Sequence, residues 1–419
     1  MSLAVWKRGL TVPSKRQSPA RTSFAASSSP KKPIISFRLP TGTAAVYRRA
    51  EDIDPTTWQA AYGGSHKDFH YYDLIERTMT VDFVYRYLVL RDSNHEPLLL
   101  QPLILVDQDL AVSARFALVW VIEMIRRWRP RFLRTSLLMA GCLVGEAEPG
   151  MITPATLEQA APLLAAGLRA FARSQGISLM TVKDLPATLR KKMSVFLQEG
   201  YTRIPGFPPL HLPLDFSTFD EYMRTRLSRV TRRSLRRKLR NSSRQRPPLT
   251  MEVLEDCSEV INEIYPLYLC VVLRSPVDFE VFTRDYFLEA GRRMPGRFRY
   301  FIWRQEGKAV AFSFCTIWND TIYDNDIGLD YGVAHDLNLY YVTFRDLISW
   351  ALKQGLKSYR CAPFNYDPKL HLRLCLQPVD LYVRHHSPVM NALIRLVAPL
   401  FSPTKVDPVL RVLFRRVTS

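Results

Sequence analysis

Two hydrophobic periods alternate along the chain, one of two residues and one of three to four, as expected when strands and helices take turns. "YRYLVLR" and "PLLLQPLILV" predict a hairpin across "DSNHE", and "SLLMAGCLVG" predicts a further strand. Leu157, Ala161, Leu164, Leu168 and Phe171 line one side of a helix predicted over 154–174. "GISLMTVKDL" then reads as a strand, "PATLRKKMSVFLQEG" as a helix, and "YTRIPGFPPLHLPLD" closes this first segment.

A second segment repeats a similar order. It opens with a basic helix predicted over 218–241, then strand "LTMEVLE" and helices over 258–273 and 282–292. "RFRYFIWRQ", "AVAFSFCTIW" and "TIYDNDIGLDYG" predict a three-stranded antiparallel meander, with turns at "EGK" and at Asn319–Asp320. The next helix is expected over 337–353, capped by Asp336, lined by Leu337, Tyr340, Phe344, Leu347 and Ala351, and ended by Gly355. Strand "KSYRCAPF", a short helix over 368–374 and strand "VDLYVRH" finish the segment. Strands feeding long helices and then further strands predict an α+β protein with two tandem units, each a mixed central sheet flanked by helices.

The last arm of the meander conflicts with its own propensity. Asp is a poor strand former, yet Asp324, Asp326 and Asp330 sit here, and strict alternation gives all three one face together with Ile322 and Gly328. A local conflict of this kind marks either a site or a solvated face.

Charge changes the picture at two places only. The net charge is +19 over 419 residues, and residues 1–50 carry ten Lys or Arg without an acid. A second block, Arg224–Arg240, carries nine without an acid, which leaves the rest of the chain balanced. Those blocks suit a polyanion, either nucleic acid or an acidic membrane surface. A hydrophobic content of 47% supports packed cores. Residues 1–40 read as a disordered basic tail, with an organelle-targeting signal as the other reading of the same composition. Six scattered cysteines and eight histidines make no CxxC or HExxH spacing, so no metal site is expected and a reducing compartment is. No run reaches the roughly 18 apolar residues that span a bilayer. The protein is therefore expected in the cytoplasm, with the inner face of a membrane as a further location. "SPVMNALIRLVAPLF" and "DPVLRVLFRRV" form a basic amphipathic extension, 387–419, that either packs on the protein or lies on a membrane surface.

Three features together resemble the GNAT acyltransferase superfamily: the order of elements over 217–385, the basic helix "FDEYMRTRLSRVTRRSLRRKLRN", and the ending "SYRCAPFNYDPKLHLR" with Tyr366 and Lys369. The resemblance is to the CelD-like and Fem-type branches with tandem GNAT units. It implies a degenerate first unit over 41–214 and an acyltransferase unit over 215–386. It also implies acyl-CoA as donor, although the Q/R-x-x-G-x-G/A phosphate loop is replaced here by "GLDYGVAHDL". Fem-type enzymes, which take an aminoacyl group from tRNA, also lack that loop.

Transfer to an amine needs a base, an oxyanion donor and a cation for an anionic substrate. In the family's layout the strand of acids borders the acyl cleft, which makes Asp326 the expected base and Asp330 the second choice. Tyr340, on the following helix, is the expected acid. Arg229, Arg233, Arg236 and Arg240 form one stripe that suits phosphate, and Lys369 can complete the anion site. The expected acceptor is an amine or hydroxyl of an anionic small molecule or lipid-linked, envelope-related precursor, with tRNA and a membrane surface as further partners. The alternative is a non-catalytic nucleic-acid- or membrane-surface-binding protein on the same scaffold.

Overall fold

The computed structural model describes residues 31–109, 124, 127, 134–153, 156–275 and 280–418. The first sheet contains β1 (Ile35–Leu39), β2 (Gly42–Tyr47), β3 (Phe83–Arg91), β4 (Pro97–Asp109), β5 (Arg134–Ala140), β6 (Gly150–Met151), β7 (Leu179–Pro186) and β8 (Thr202–Pro205). The second contains β9 (Leu210–Pro213), β10 (Thr250–Leu254), β11 (Phe298–Gln305), β12 (Lys308–Trp318), β13 (Thr321–Leu329), β14 (Ser358–Cys361) and β15 (Cys375–Leu376). The last strand, β16 (Val379–His385), returns to the first sheet and lies between β7 and β8.

The units repeat one topology. In the first, an antiparallel run ends in β5, helix α3 (Leu157–Ser174) crosses over, and β7 lies parallel to β5. In the second, the meander ends in β13, helix α8 (Leu339–Lys353) crosses over, and β14 lies parallel to β13. Each crossover helix buries its apolar stripe on its own sheet, Leu164, Leu168 and Phe171 from α3 and Phe344, Leu347 and Ala351 from α8. A third core lies between the units and draws on α1 (Pro55–Tyr62), α2 (Phe69–Thr78), α6 (Ile261–Val272) and α7 (Arg284–Arg293).

Several sequence expectations differ from the structure. β9 was expected to close the first unit and β16 to complete the second, but the two strands change places: β9 pairs with β14 and β16 with β7. The exchange ties the units together, so a boundary at 214/215 cuts through the second sheet. Ile35–Leu39, expected in the tail, pairs with β2 as an edge hairpin; the tail up to residue 30 lies outside the described residues. The single basic helix is two, α4 (Phe219–Arg226) and α5 (Arg229–Arg244). Leu227 is extended and buried between them, and Ser228 caps the second by accepting from Thr231 N–H. α8 starts at Leu339 behind Asn338, which is in the left-handed conformation at φ 50°, so Asp336 does not cap it. "PATLRKKMSVFLQEG" winds as a short turn and one four-residue helix, Val195–Gln198, and Arg190 between them donates to the buried Asp380 carboxylate.

The remaining helices include α9 (Tyr366–His371), α10 (Pro388–Val397) and α11 (Pro408–Thr418), with one turn of helix, Pro403–Val406, between the last two. None of the described helices is long and apolar enough to cross a membrane.

Candidate active site

The chemistry centres on the place where β13 and β14 part. Their parallel pairing covers Thr321–Asp324 against Ser358–Cys361, after which β14 ends while β13 runs on to Leu329. From Asn325 onward, no described strand pairs with the β14-side edge of β13. An edge opened inside a sheet offers backbone N–H and C=O groups to a ligand.

A bulge sits at the same point. Asp324 pairs with Cys315 and Asp326 with Phe314, so Asn325 is the extra residue, and its Nδ2 donates to Thr316 Oγ1 at 2.8 Å. Cross-strand partners share a face, and Phe314 and Cys315 face opposite ways. Asp324 therefore points to the α8 side, and Asp326 points with Gly328 to the side of α6 and α7. The single acidic face expected from alternation is split in two.

Asp326 is half-buried among the aromatic rings of Tyr268 and Tyr286. Burial pushes its carboxyl up to about 8, and the neighbouring acids Glu280 and Asp324 push the same way. Glu280 is itself raised by burial, against the pull of Lys183 and Lys67 from the first unit. Lys183 Nζ donates to Leu143 O at 2.6 Å and Lys67 Nζ to Val144 O at 2.6 Å, so backbone carbonyls of the first unit hold both cations near the junction. α6 closes this face tightly at Gly328, where a Cβ would come within 2.7 Å of the Leu267 carbonyl carbon and 2.3 Å of Phe312 Cε1.

On the other face, Tyr359 Oη donates to Asp324 Oδ2 at 2.7 Å and Cys315 Sγ to Oδ1 at 3.7 Å. Burial raises the Asp324 carboxyl, partly offset by the Tyr359 bond and the charge of Lys369. Tyr340 is half-buried nearby, and burial, with Cys361 and Asp324 beside it, raises its phenol well above the usual range. Lys369 Nζ donates to Ala362 O at 2.7 Å, directly beyond the end of β14. Asp324, Tyr340, Tyr359 and Lys369 thus gather on the α8 side of the parting.

Asp330 stands apart from this group. Its carboxylate meets Lys308 Nζ at 3.0 Å and accepts from Gly332 N–H at 2.9 Å, and the Lys308 bond lowers its proton affinity. It lines a separate cleft of about 310 Å³ with Glu263, Leu267, Cys270 and Lys308. A carboxylate held ionised in this way is a weak base, so the second choice for the proton acceptor does not fit its surroundings.

The loop after β13 bears on the acyl-CoA donor. Gly332 N–H is taken by Asp330 Oδ1, Val333 and Ala334 N–H by Asp330 O, and Leu337 N–H by Val333 O. Asp330 and Asp336 add negative charge to the same loop. It does not fit the phosphate cradle of the acyl-CoA-binding fingerprint, which needs free amides and no acid.

The arginine stripe lies on α5. Leu235 is buried and Leu239 half-buried against α8, and Lys238 Nζ sits 3.5 Å over the Tyr341 ring. Arg229, Arg233, Arg236 and Arg240 share the opposite side of the helix and are all exposed. They form an open stripe on the surface, not a converging pocket.

Sequence reading missed the contribution of the first unit. His66 stacks on Tyr323 with 4.3 Å between ring centroids, and burial among Lys67, Arg360 and Arg297 pushes its imidazole down to about 3, so it is neutral. Arg360 Nη2 holds both Glu146 carboxylate oxygens at 3.0 Å, and Arg297 holds Asp68 at 2.8 and 2.9 Å. Those ion pairs fix the first unit's 66–68 and 144–146 loops against the parting strands. Neither loop has a periodic pattern that could have announced this.

Comparison with known proteins bears on the fold. Residues 229–367 match the family model described as the acetyltransferase (GNAT) domain. The structure of FemX superposes with a TM-score of 0.51 and 8% identity, over 82% of this chain and 97% of that one. The structure of L-PGS from Bacillus licheniformis superposes at 0.46 with 14% identity, over 83% and 96%. A Mycobacterium tuberculosis protein provisionally assigned as 8-amino-7-oxononanoate synthase 2 is 24% identical over 273 residues, which are 63% of this chain and 34% of that protein. The chain thus spans about a third of the length of the curated relatives it matches. The two units repeat one topology, and the second, with its parted strand pair, contains the stretch that matches the GNAT domain. Residues 229–367 thus match a GNAT domain, and the chain shares the fold of FemX.

Proposed function

We propose that the second unit transfers an acyl or aminoacyl group from a thioester or ester donor to an amine or hydroxyl of an anionic acceptor, with Asp326 as the base. The observation that carries this reading is Asp326 itself, a half-buried carboxyl held up at about 8 where β13 leaves β14.

An amine arrives as an ammonium ion and must lose a proton to attack. The nitrogen lone pair forms the bond to the acyl carbon, the thioester or ester bond breaks, and Asp326 accepts the proton. A base with a pKa near the working pH is well matched to that step. Backbone N–H groups along the opened edge of β13 can steady the oxyanion. Tyr340, kept protonated by burial, can return a proton to the leaving group from the α8 side.

The exposed stripe on α5 and Lys369 favour an anionic acceptor, lipid-linked or free, or a tRNA-borne donor. A cytoplasmic enzyme working at the inner face of a membrane is consistent with such substrates. The poor fit of the loop after β13 to phosphate favours an aminoacyl-tRNA over acyl-CoA.

Thermal unfolding with acetyl-CoA, longer acyl-CoAs, free CoA, aminoacyl-tRNA, uncharged tRNA and inorganic pyrophosphate tests the donor class. A donor that binds the native state raises the midpoint by mass action, and the acylated form should raise it more than its deacylated counterpart. Equal shifts with acylated and deacylated forms would leave only polyanion binding and favour the non-catalytic reading.

A further inference from the structure

Helix α10 is built the wrong way round for a helix on a water-soluble surface. Its uncharged polar residue faces inward: Asn391 is buried, its Oδ1 accepts from His385 N–H at 3.0 Å, and its Nδ2 donates to Gly200 O at 2.8 Å. Ala398 is buried and Ile394 half-buried on the same side. The outward side is apolar. Val389 is 78% exposed, Leu393 46% and Leu396 76%, Leu400 is 62% exposed on the 3-10 turn Ala398–Phe401 that continues α10, and their spacing of three or four residues puts them in one stripe. Single exposed leucines are ordinary, but a continuous stripe fixed outward by a buried asparagine marks a surface that meets something apolar.

Cations frame the stripe. Arg395 Nη2 reaches Gly200 O at 3.5 Å, and the Arg384 side chain lies beside the same glycine. Arg169 and Arg173 from the end of α3 stand close enough to Arg384 to repel its charge. Glu199, the residue before Gly200, is paired with Arg169. Arg384 Nη1 is buried and has no hydrogen-bond partner among the described residues. Apolar side chains beside the exposed Arg395 guanidinium match an acyl layer under anionic headgroups.

We infer that the outer face of α10 docks on an anionic phospholipid bilayer, with Val389, Leu393, Leu396 and Leu400 entering the acyl boundary and Arg395 meeting lipid phosphates. The contact gives the membrane location considered above a specific surface. It depends on no step of acyl transfer, so membrane binding and catalysis can fail separately.

The test is co-sedimentation of the full chain with large unilamellar vesicles of phosphatidylcholine alone, or of equal parts phosphatidylcholine and phosphatidylglycerol. The parent protein binds the anionic vesicles, and added salt weakens that binding. The double variant Leu393→Ser/Leu396→Ser binds at least about tenfold more weakly, because both side chains would enter the apolar layer. Arg395→Gln loses affinity for the anionic vesicles and leaves the weak binding to neutral ones unchanged. The substituted leucines are exposed, so thermal midpoints of the variants should match the parent. Absence of binding by the parent, or equal binding by the double variant, overturns the proposal. So does a vesicle-free dimer of the parent that the double variant dissolves, because the stripe would then be an interface between two copies of the chain.

Discussion

Asp324 and Asp326, two residues apart on one strand, face opposite sides of the sheet because the bulge at Asn325 resets the alternation between them. Each meets a different environment. Asp324 receives the Tyr359 hydroxyl on the α8 side, while Asp326 meets Glu280 and the aromatic residues of α6 and α7. Without the bulge the acids would crowd one face. With it, a single strand brings a carboxyl to each side of the point where β13 and β14 part.

The raised carboxyl of Asp326 makes stability fall with pH. Its pKa in the folded protein is about 8 against an ordinary 3.8, so between those values the folded state holds a proton that the unfolded state has lost. The cost of Asp326 therefore accumulates from about pH 4 and is complete above about pH 8. Asp326→Asn, which cannot ionise, should be more stable than the parent by about 2 kcal/mol or more at pH 8.5 and nearly equal to it near pH 4. Urea unfolding at the two pH values measures the difference.

Tyr359→Phe removes the hydroxyl that Asp324 accepts and leaves a buried carboxyl short of a donor. The expected loss is about 1–3 kcal/mol, read from the denaturant midpoint at pH 7. Adding Asp324→Asn should recover part of it, because the amide carries no charge to be left without a partner.

Gly328→Ala places a methyl group against the backbone of Leu267 and the ring of Phe312. A helix backbone cannot swing aside as a flexible side chain can, so α6 must lift. A loss of about 1–3 kcal/mol is expected, together with lower turnover as Tyr268 moves from Asp326. Equal stability and activity in this variant would mean that α6 is not held against β13.

The stripe of Arg229, Arg233, Arg236 and Arg240 is open and exposed, so its action on a polyanion should be shared. Each Arg→Gln substitution should weaken binding of total tRNA by a similar factor and reduce the slope of log affinity against log salt by roughly 0.7–0.9. Filter binding at two salt concentrations checks this. One position far outweighing the others would indicate a discrete phosphate clamp.

Much of the fold was legible because it is local. The meander, the crossover helices and the tandem order follow from apolar periods and turn residues such as Asn319 and Gly355. The candidate position was legible too, since an aspartate inside a strand of Ile322, Ile327 and Leu329 breaks its own propensity. Its face was not, because the bulge at Asn325 is decided by pairing with Phe314 and Cys315 rather than by the strand itself. The exchange of β9 and β16 escaped for a similar reason. "LHLP" and "VDLYVRH" read equally well in either sheet, and only the three-dimensional neighbour selects one. His66, Lys67 and Glu146 reach the site from loops, where no periodicity exists to read.

The most direct test of Asp326 as the base is the pH dependence of acyl transfer to a primary amine, using the donor that stabilises the protein most in the thermal comparison. In the parent, kcat/KM should rise with pH and level off above an apparent pKa near 8, the value of the Asp326 carboxyl in the unliganded enzyme. Asp326→Asn should lower kcat by roughly two to four orders of magnitude and abolish that limb of the profile. Asp330→Asn should keep both the rate and the limb. A profile and rate unchanged in Asp326→Asn would contradict the account.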